Sequence, residues 1–280
     1  MRTPEGLIPL LEEGVIDRVI RPLMSGKEAQ VYLVMSGGEE RVAKVYKDAE
    51  HRSFKNRADY TEGRRPRNSR DARAMKKGSS YGKAQEEEAW RSAEVDMIYR
   101  LSAAGVRVPH PYHFMDGVLV MELVTDFEGN PAPRLGDVEM PPETAQRIFD
   151  FLIREVVKML CAGVVHGDLS DFNVLLGAQT PVIIDFPQAL DAAGNNNARA
   201  ILLRDVQNLN RFLLGRGVEP EHPLRHGPEM WDLYARGELR PDTVLTGKHK
   251  GSEKRVDLRG LIRELEADER DEMKRRAGRT

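Results

Sequence analysis

Between Val19 and Lys47 apolar and polar residues alternate, and VIRPLM, AQVYLVM and RVAKVYK are rich in β-branched and aromatic side chains. A period of two puts successive side chains on opposite faces of a strand. The tripeptide SGG at Ser36 to Gly38 supplies a tight reversal, so the segment predicts an antiparallel meander. From about Lys83 to Ala104 the period lengthens to that of a helix, with Trp90, Met97, Ile98 and Leu101 on one face and Glu94 inside the same stripe. Two more short strands, YHFMD and VLVMELV, meet at Asp116-Gly117. Beyond Asn130 helices dominate: PPETAQRIFDFLIREVVKMLCAG opens on prolines and stops at a glycine, and ARAILLRDVQNLNRFLL is similarly amphipathic. Strands with one helix first, and helices afterwards, predict an α+β fold in two parts.

Charge changes this picture in one place. His51 to Lys83 holds eleven basic residues against three acidic ones, a net +8 over 33 residues with almost no core-forming position. It reads as a flexible basic insertion, about 48–82, that meets phosphate or an acidic partner; a solvated loop is the plainer alternative. The expected organisation is an N-terminal lobe over 1–124 carrying the insertion, a C-terminal lobe over 125–240, and a charged tail over 241–280. The tail's short apolar stripe, Leu258, Leu261, Ile262 and Leu265, suggests a single helix. Composition, 40% hydrophobic and 31% charged over 280 residues, is that of an ordinary globular chain. The one cysteine, Cys161, lies in an apolar run, which excludes an internal disulfide and points to a core thiol in a reducing compartment. Glu12, Glu13 and Asp17 interrupt the N-terminal apolar residues, so no secretory signal is read there. No eighteen apolar residues run together, and a cytoplasmic protein without a membrane span is expected.

The chemistry concentrates in VVHGDLSDFNVLL, Val164 to Leu176, where a polar island sits between apolar flanks. His166, Asp168, Leu169 and Asn173 fit H-x-D-L-x-x-x-N, in which the Asp orients a hydroxyl and accepts its proton while the Asn holds magnesium. Asp171 has no such role in this spacing and reads as a turn residue. Twelve residues beyond Asn173, Asp185 ends the apolar strand of VIIDFPQ and supplies the carboxylate that Mg²⁺ bridging ATP phosphates needs. Lys44 lies among apolar strand neighbours, and a core-directed ammonium must be paired. Glu94, on the apolar face of its helix, is the partner predicted, making the ion pair that positions ATP phosphates in kinases. MSGKEAQVY stands where a phosphate-covering loop would, with Gly26 as its one glycine and the Ser25 hydroxyl as a phosphate donor.

Together SGKEAQVYLV, VAKVYK, PAPRL (Pro131 to Leu135), HGDLSDFNVLL and IDFPQ resemble the RIO family of atypical serine protein kinases, over about Val19 to Gly215. The resemblance implies a two-lobed protein-kinase-like fold without the usual activation loop or peptide-docking helices, with a flexible insertion between the third strand and the helix bearing the Glu. It implies ATP with Mg²⁺, or Mn²⁺ in its place. It assigns Glu122 and Val124 to the hinge whose backbone meets adenine, and it makes Asp185 a candidate aspartyl-phosphate acceptor as well as a metal ligand. The insertion and PAPRL look like one RIO subfamily, whereas IDFPQ is similar to another whose members carry an N-terminal winged helix. About eighteen residues precede the first strand, too few for such a domain, so a stand-alone RIO-like protein is expected. His166-Gly167-Asp168 lacks the Arg of H-R-D, so control by a phosphorylated activation loop is not expected.

The function expected is an autophosphorylating serine/threonine protein kinase, an ATPase working through an aspartyl phosphate, or both; its protein substrate is not legible. Two alternatives stay open. Small-molecule kinases of the aminoglycoside or choline phosphotransferase type share a similar H-G-D-L…N and I-D core. A nucleotide-dependent scaffold could instead contact RNA or a ribonucleoprotein through the basic insertion, since family members act in small ribosomal subunit maturation.

Overall fold

The computed structural model describes residues 3–26, 29–46 and 94–249. The basic insertion, the start of the Glu94 helix with Trp90, Lys27 and the tail from 250 onward lie outside the described residues.

Three strands, β1 (Arg18–Ser25), β2 (Ala29–Ser36) and β3 (Glu39–Tyr46), form the expected meander, and β4 (Pro111–Met115) with β5 (Val118–Glu122) completes an antiparallel sheet of order β1-β2-β3-β5-β4. The β2–β3 reversal uses Gly37 and Gly38 at φ +63° and +80°, the sense that matches strand twist. Asp116 and Gly117 do the same between β4 and β5, at φ +48° and +73°. Pro22 and Pro111, which cannot donate to a ladder, both fall in edge strands. The sheet buries both faces. Val118 and Val120 of β5 pack outward on Tyr32, Val34 and Ala43, under Leu7, Leu10 and Ile16 of a short N-terminal segment containing helix α1 (Ile8–Glu12). Leu119 faces the other way, onto Val95, Ile98 and Leu101 of helix α2, described over 94–103.

The second lobe is built on α3 (Pro142–Cys161), α4 (Ala198–Gly215) and α5 (His226–Ala235). On α3, Ala145, Ile148, Phe149, Leu152, Ile153, Val156, Val157 and Leu160 are buried, a stripe of helical period packed on Ile201, Leu202, Val206, Leu209 and Leu213 of α4. Gly163 at φ +73° ends α3 as its sequence predicts. Cys161 departs from expectation: at the last turn of α3 it is partly exposed at the core's margin, and burial still pushes its thiol pKa up. Two small antiparallel pairs, β6 (Val164–Val165) with β9 (Leu190–Asp191) and β7 (Val174–Leu176) with β8 (Pro181–Ile183), carry the polar island. The molecule is thus a two-lobed α+β structure, with an antiparallel sheet flanked by α1 and α2 in one lobe and a mainly helical second lobe.

Candidate active site

Lys44 lies mid-sheet, in register with Val31 of β2 and Leu119 of β5. Its Nζ donates to Glu94 Oε1 at 2.8 Å and to Asp185 Oδ1 at 3.2 Å, so one ammonium joins both lobes. Burial pulls the Lys44 pKa down, but Glu94, Tyr46 and Asp185 outweigh it, and the result is a pKa well above the ordinary value. Asp185 shows the converse balance. Burial pushes it up, while the charge and hydrogen bond of Lys44, with His166 and Arg134, bring it below its ordinary value. Lysine and aspartate are therefore both ionised at neutral pH. Asp185 adopts φ +69°, a left-handed conformation costly for a residue with a Cβ and typical of functional sites.

Asn173 closes a one-turn 3₁₀ segment, Asp171–Asn173, which Asp171 opens. Its Nδ2 donates to the Asp168 carbonyl at 2.7 Å and reaches Asp168 Oδ2 at 3.4 Å, leaving Oδ1 as the atom able to ligate a hard cation. The Ile184 N–H donates to the Asn173 carbonyl at 2.9 Å, so the β7–β8 ladder ties Asn173 to the strand leading into Asp185. Among the described residues no three His, Cys, Asp or Glu side chains cluster as a protein-only metal cage. One amide oxygen and one carboxylate fit the other arrangement, in which nucleotide phosphates and water complete the shell of Mg²⁺. The buried Tyr46 hydroxyl also neighbours Glu94, and the charge of Glu94 adds to burial in raising the tyrosine's pKa.

The loop bearing Asp168 is held from beneath. Asp205 of α4, 1% exposed, accepts the Gly167 N–H on Oδ2 at 2.9 Å and the Leu169 N–H on Oδ1 at 3.1 Å. Arg204 donates to the Gly167 carbonyl and Asn208 Nδ2 to the Leu169 carbonyl. Burial pushes the Asp205 carboxyl up to about 7 despite the two N–H donors and Arg204. His166, also buried, donates Nε2–H to the Ile184 carbonyl at 3.1 Å and accepts the Asp168 N–H on Nδ1 at 3.3 Å. That pattern defines the neutral tautomer, and burial lowers its pKa to about 4. Gly167 sits at φ +87°, and a Cβ there would collide with the Gln188 backbone carbonyl. The missing arginine of H-R-D thus has a steric reason: only glycine fits.

At the end of β5, the Glu122 N–H donates to the His110 carbonyl and, just beyond, the Val124 carbonyl accepts from Ala132, both at 2.9 Å. The Glu122 side chain is taken up by Arg107 in a bidentate pair of 2.6 and 2.7 Å. Ser25 ends β1 opposite Gln30, exposed, where the turn closes through Gly26 N–H to the Ala29 carbonyl at 2.9 Å.

Residues 30–225, well over half of the chain, match the model of the RIO domain family. The chain belongs to this family. It is 35% identical over 215 residues to the RIO-type serine/threonine-protein kinase Rio1 of Haloferax volcanii, covering 76% of this chain and 69% of that protein. The Rio1 kinase of Methanocaldococcus jannaschii is 32% identical over 219 residues, covering 78% and 70%. The human serine/threonine-protein kinase RIO1 is 30% identical over 219 residues; 78% of this chain aligns, but only 37% of the human protein.

Within the RIO framework several polar residues were not singled out from sequence. Asp205, Arg204 and Asn208 lie in ARAILLRDVQNLNRFLL, whose amphipathic pattern does not set them apart, and Arg107 belongs to no motif. Arg107 is a junction. Its N–H donates to Glu155 Oε2 at 2.7 Å, its carbonyl accepts from Ile183, and its guanidinium holds Glu122. The end of β5, α3 and the strand before Asp185 therefore share one residue. A buried acid such as Glu155, 2% exposed inside an apolar helical stripe, was the one signal available for this network.

Proposed function

We propose that the chain is a RIO-type serine/threonine kinase that moves the γ-phosphoryl group of ATP to a protein hydroxyl. The observation that supports it best is the chain of contacts Glu94–Lys44–Asp185, which crosses the cleft to the loop bearing Asp168 and Asn173. Bound Mg²⁺, or Mn²⁺, would neutralise phosphate charge and leave its in-line approach open. Asn173 Oδ1 and Asp185 are the residues that would hold it. Lys44, fixed by Glu94, supplies a cation for the phosphates, and Ser25 a hydroxyl donor from the covering turn. Glu122 and Val124 offer the remaining backbone groups of the hinge to a purine edge. Asp168, its backbone held through His166 and Asn173, orients the attacking hydroxyl and takes its proton as the new P–O bond forms and ADP departs.

Asp185 gives a second outcome on the same site, since an ionised carboxylate can itself attack the γ-phosphorus, expel ADP and form an acyl phosphate that water then hydrolyses to aspartate and phosphate. Incubation with γ-labelled ATP and Mg²⁺ separates the two. An acid-stable label on serine or threonine supports the kinase reading, and a hydroxylamine-labile label lost in Asp185→Asn supports the ATPase. Asp168→Ala should retain ATP binding and lose about 10²-fold or more in turnover, the usual worth of a positioned base. Undiminished turnover would remove Asp168 from the role. The curated relatives are named protein kinases, which favours a protein hydroxyl over an amino alcohol or aminoglycoside as acceptor. Contact with a ribonucleoprotein would rest on the basic insertion, and its binding should then weaken steeply with salt.

A further inference from the structure

The cleft holds a second cation, Arg134, that the phosphoryl-transfer residues leave unused. It comes from the PAPRL segment, which is stitched to the metal-bearing hairpin. The Leu176 N–H donates to the Pro133 carbonyl at 2.8 Å, and Arg134 itself forms an antiparallel bridge with Leu175, two residues after Asn173. From there the side chain reaches across the cleft mouth to the other lobe, where Nη2 meets Met24 Sδ at 3.7 Å on the strand entering the phosphate-covering turn. That thioether is the one hydrogen-bond partner of the guanidinium among the described residues. A guanidinium carries five N–H donors, and a sulfur is a weak acceptor. Every other arginine whose role is described here is met by a carboxylate or a carbonyl, as Arg107 is by Glu122 and Arg204 by Gly167.

The charge balance points the same way. Lys44 already spends its charge on Glu94 and Asp185, which leaves the cleft little cation for a triphosphate. A polyanion there needs every cation within reach. The covering turn, with Gly26 as its one glycine, also offers fewer close backbone approaches than a three-glycine loop.

We propose that Arg134 binds the nucleotide's phosphate chain, gripping it from the lower lobe opposite Met24 at the end of β1. The planar fork grips phosphate oxygens in the bidentate manner that lysine cannot copy. This rests on the nucleotide-site reading above and adds a phosphate ligand to it.

Isothermal titration of the full chain with Mg–ATP, Mg–ADP and adenosine tests it, using wild type, Arg134→Met and Arg134→Lys. Arg134→Met should weaken Mg–ATP by about 10- to 100-fold, the worth of a charge-assisted hydrogen bond, and leave adenosine unchanged. Unchanged adenosine binding also shows that the variant is folded. Arg134→Lys should recover part of the loss. Mg–ATP affinity equal to wild type in Arg134→Met would overturn the proposal, and so would an equal loss for adenosine, which would mark a purely structural role. Wild type that fails to bind Mg–ATP would overturn the nucleotide-site reading itself, whereas wild-type binding with an indifferent Arg134→Met removes Arg134 alone.

Discussion

At the scale of single residues, Lys44 keeps its charge in a place nearly without water because two carboxylates meet it. Its side chain is 13% exposed and that of Glu94 only 2%, so Glu94 would be an uncompensated buried charge without Lys44, while Lys44 would keep Asp185 alone. Lys44→Met should therefore cost about 3–5 kcal/mol of stability, while Lys44→Met with Glu94→Leu should recover most of it. Urea unfolding of the two single variants and the double checks this, and a double variant no more stable than the singles would contradict it. The pair was visible in the sequence, because a lysine and a glutamate each broke an apolar stripe of the right period. Asp185 as the third member was not, since 141 positions separate it from Lys44 and no periodicity spans that gap.

At the scale of elements, the loop 166–169 has little structure of its own, and α4 supplies it. Asp205 takes two N–H groups and Arg204 and Asn208 take two carbonyls, so the loop's backbone polarity is satisfied by a helix some 36 to 39 residues away. Asp205→Asn replaces one acceptor by a donor facing a donor. The expected outcome is a folded protein with kcat down by about 10-fold or more, as a lost charged hydrogen bond implies, and KM for ATP nearly unchanged. Steady-state kinetics decides it; an effect confined to KM would place Asp205 elsewhere in the cycle. The strands, hairpin turns and two long helices followed from local pattern, since period and turn glycines are properties of short segments. That α4 buries Asp205 within its apolar face did not, because an aspartate in an amphipathic helix reads as solvated until the packed neighbour is known.

At the scale of the whole molecule, stability against acid collects the buried groups. His166 titrates at about 4 when folded, below its ordinary 6.5, so its contribution is full above pH 6.5 and is lost as pH falls toward 4. Asp205 runs the other way: raised to about 7, it penalises the fold at high pH, and protonation relieves that penalty as pH falls. The two slopes oppose between pH 4 and 6.5. Removing one exposes the other, so His166→Gln should gain about 2 kcal/mol relative to wild type between pH 7 and pH 5. Chemical denaturation at the two pH values measures it, and parallel curves would show that His166 is not held neutral. Among the described residues no helix is long and apolar enough to cross a membrane.

The sequence alone determined the strand meander, the second hairpin, the two long helices and the two-part α+β fold, and it marked Lys44, Glu94, Asp168, Asn173 and Asp185 as candidates, because each is signalled by a period, a turn or a spacing within one short segment. Tertiary structure decided which of them meet. It also decided that Glu122 spends its side chain on Arg107, that Gly167 admits no side chain, and that Arg134 reaches Met24 across the cleft. Those facts depend on polar side chains from distant segments converging, and local pattern carries no information about convergence.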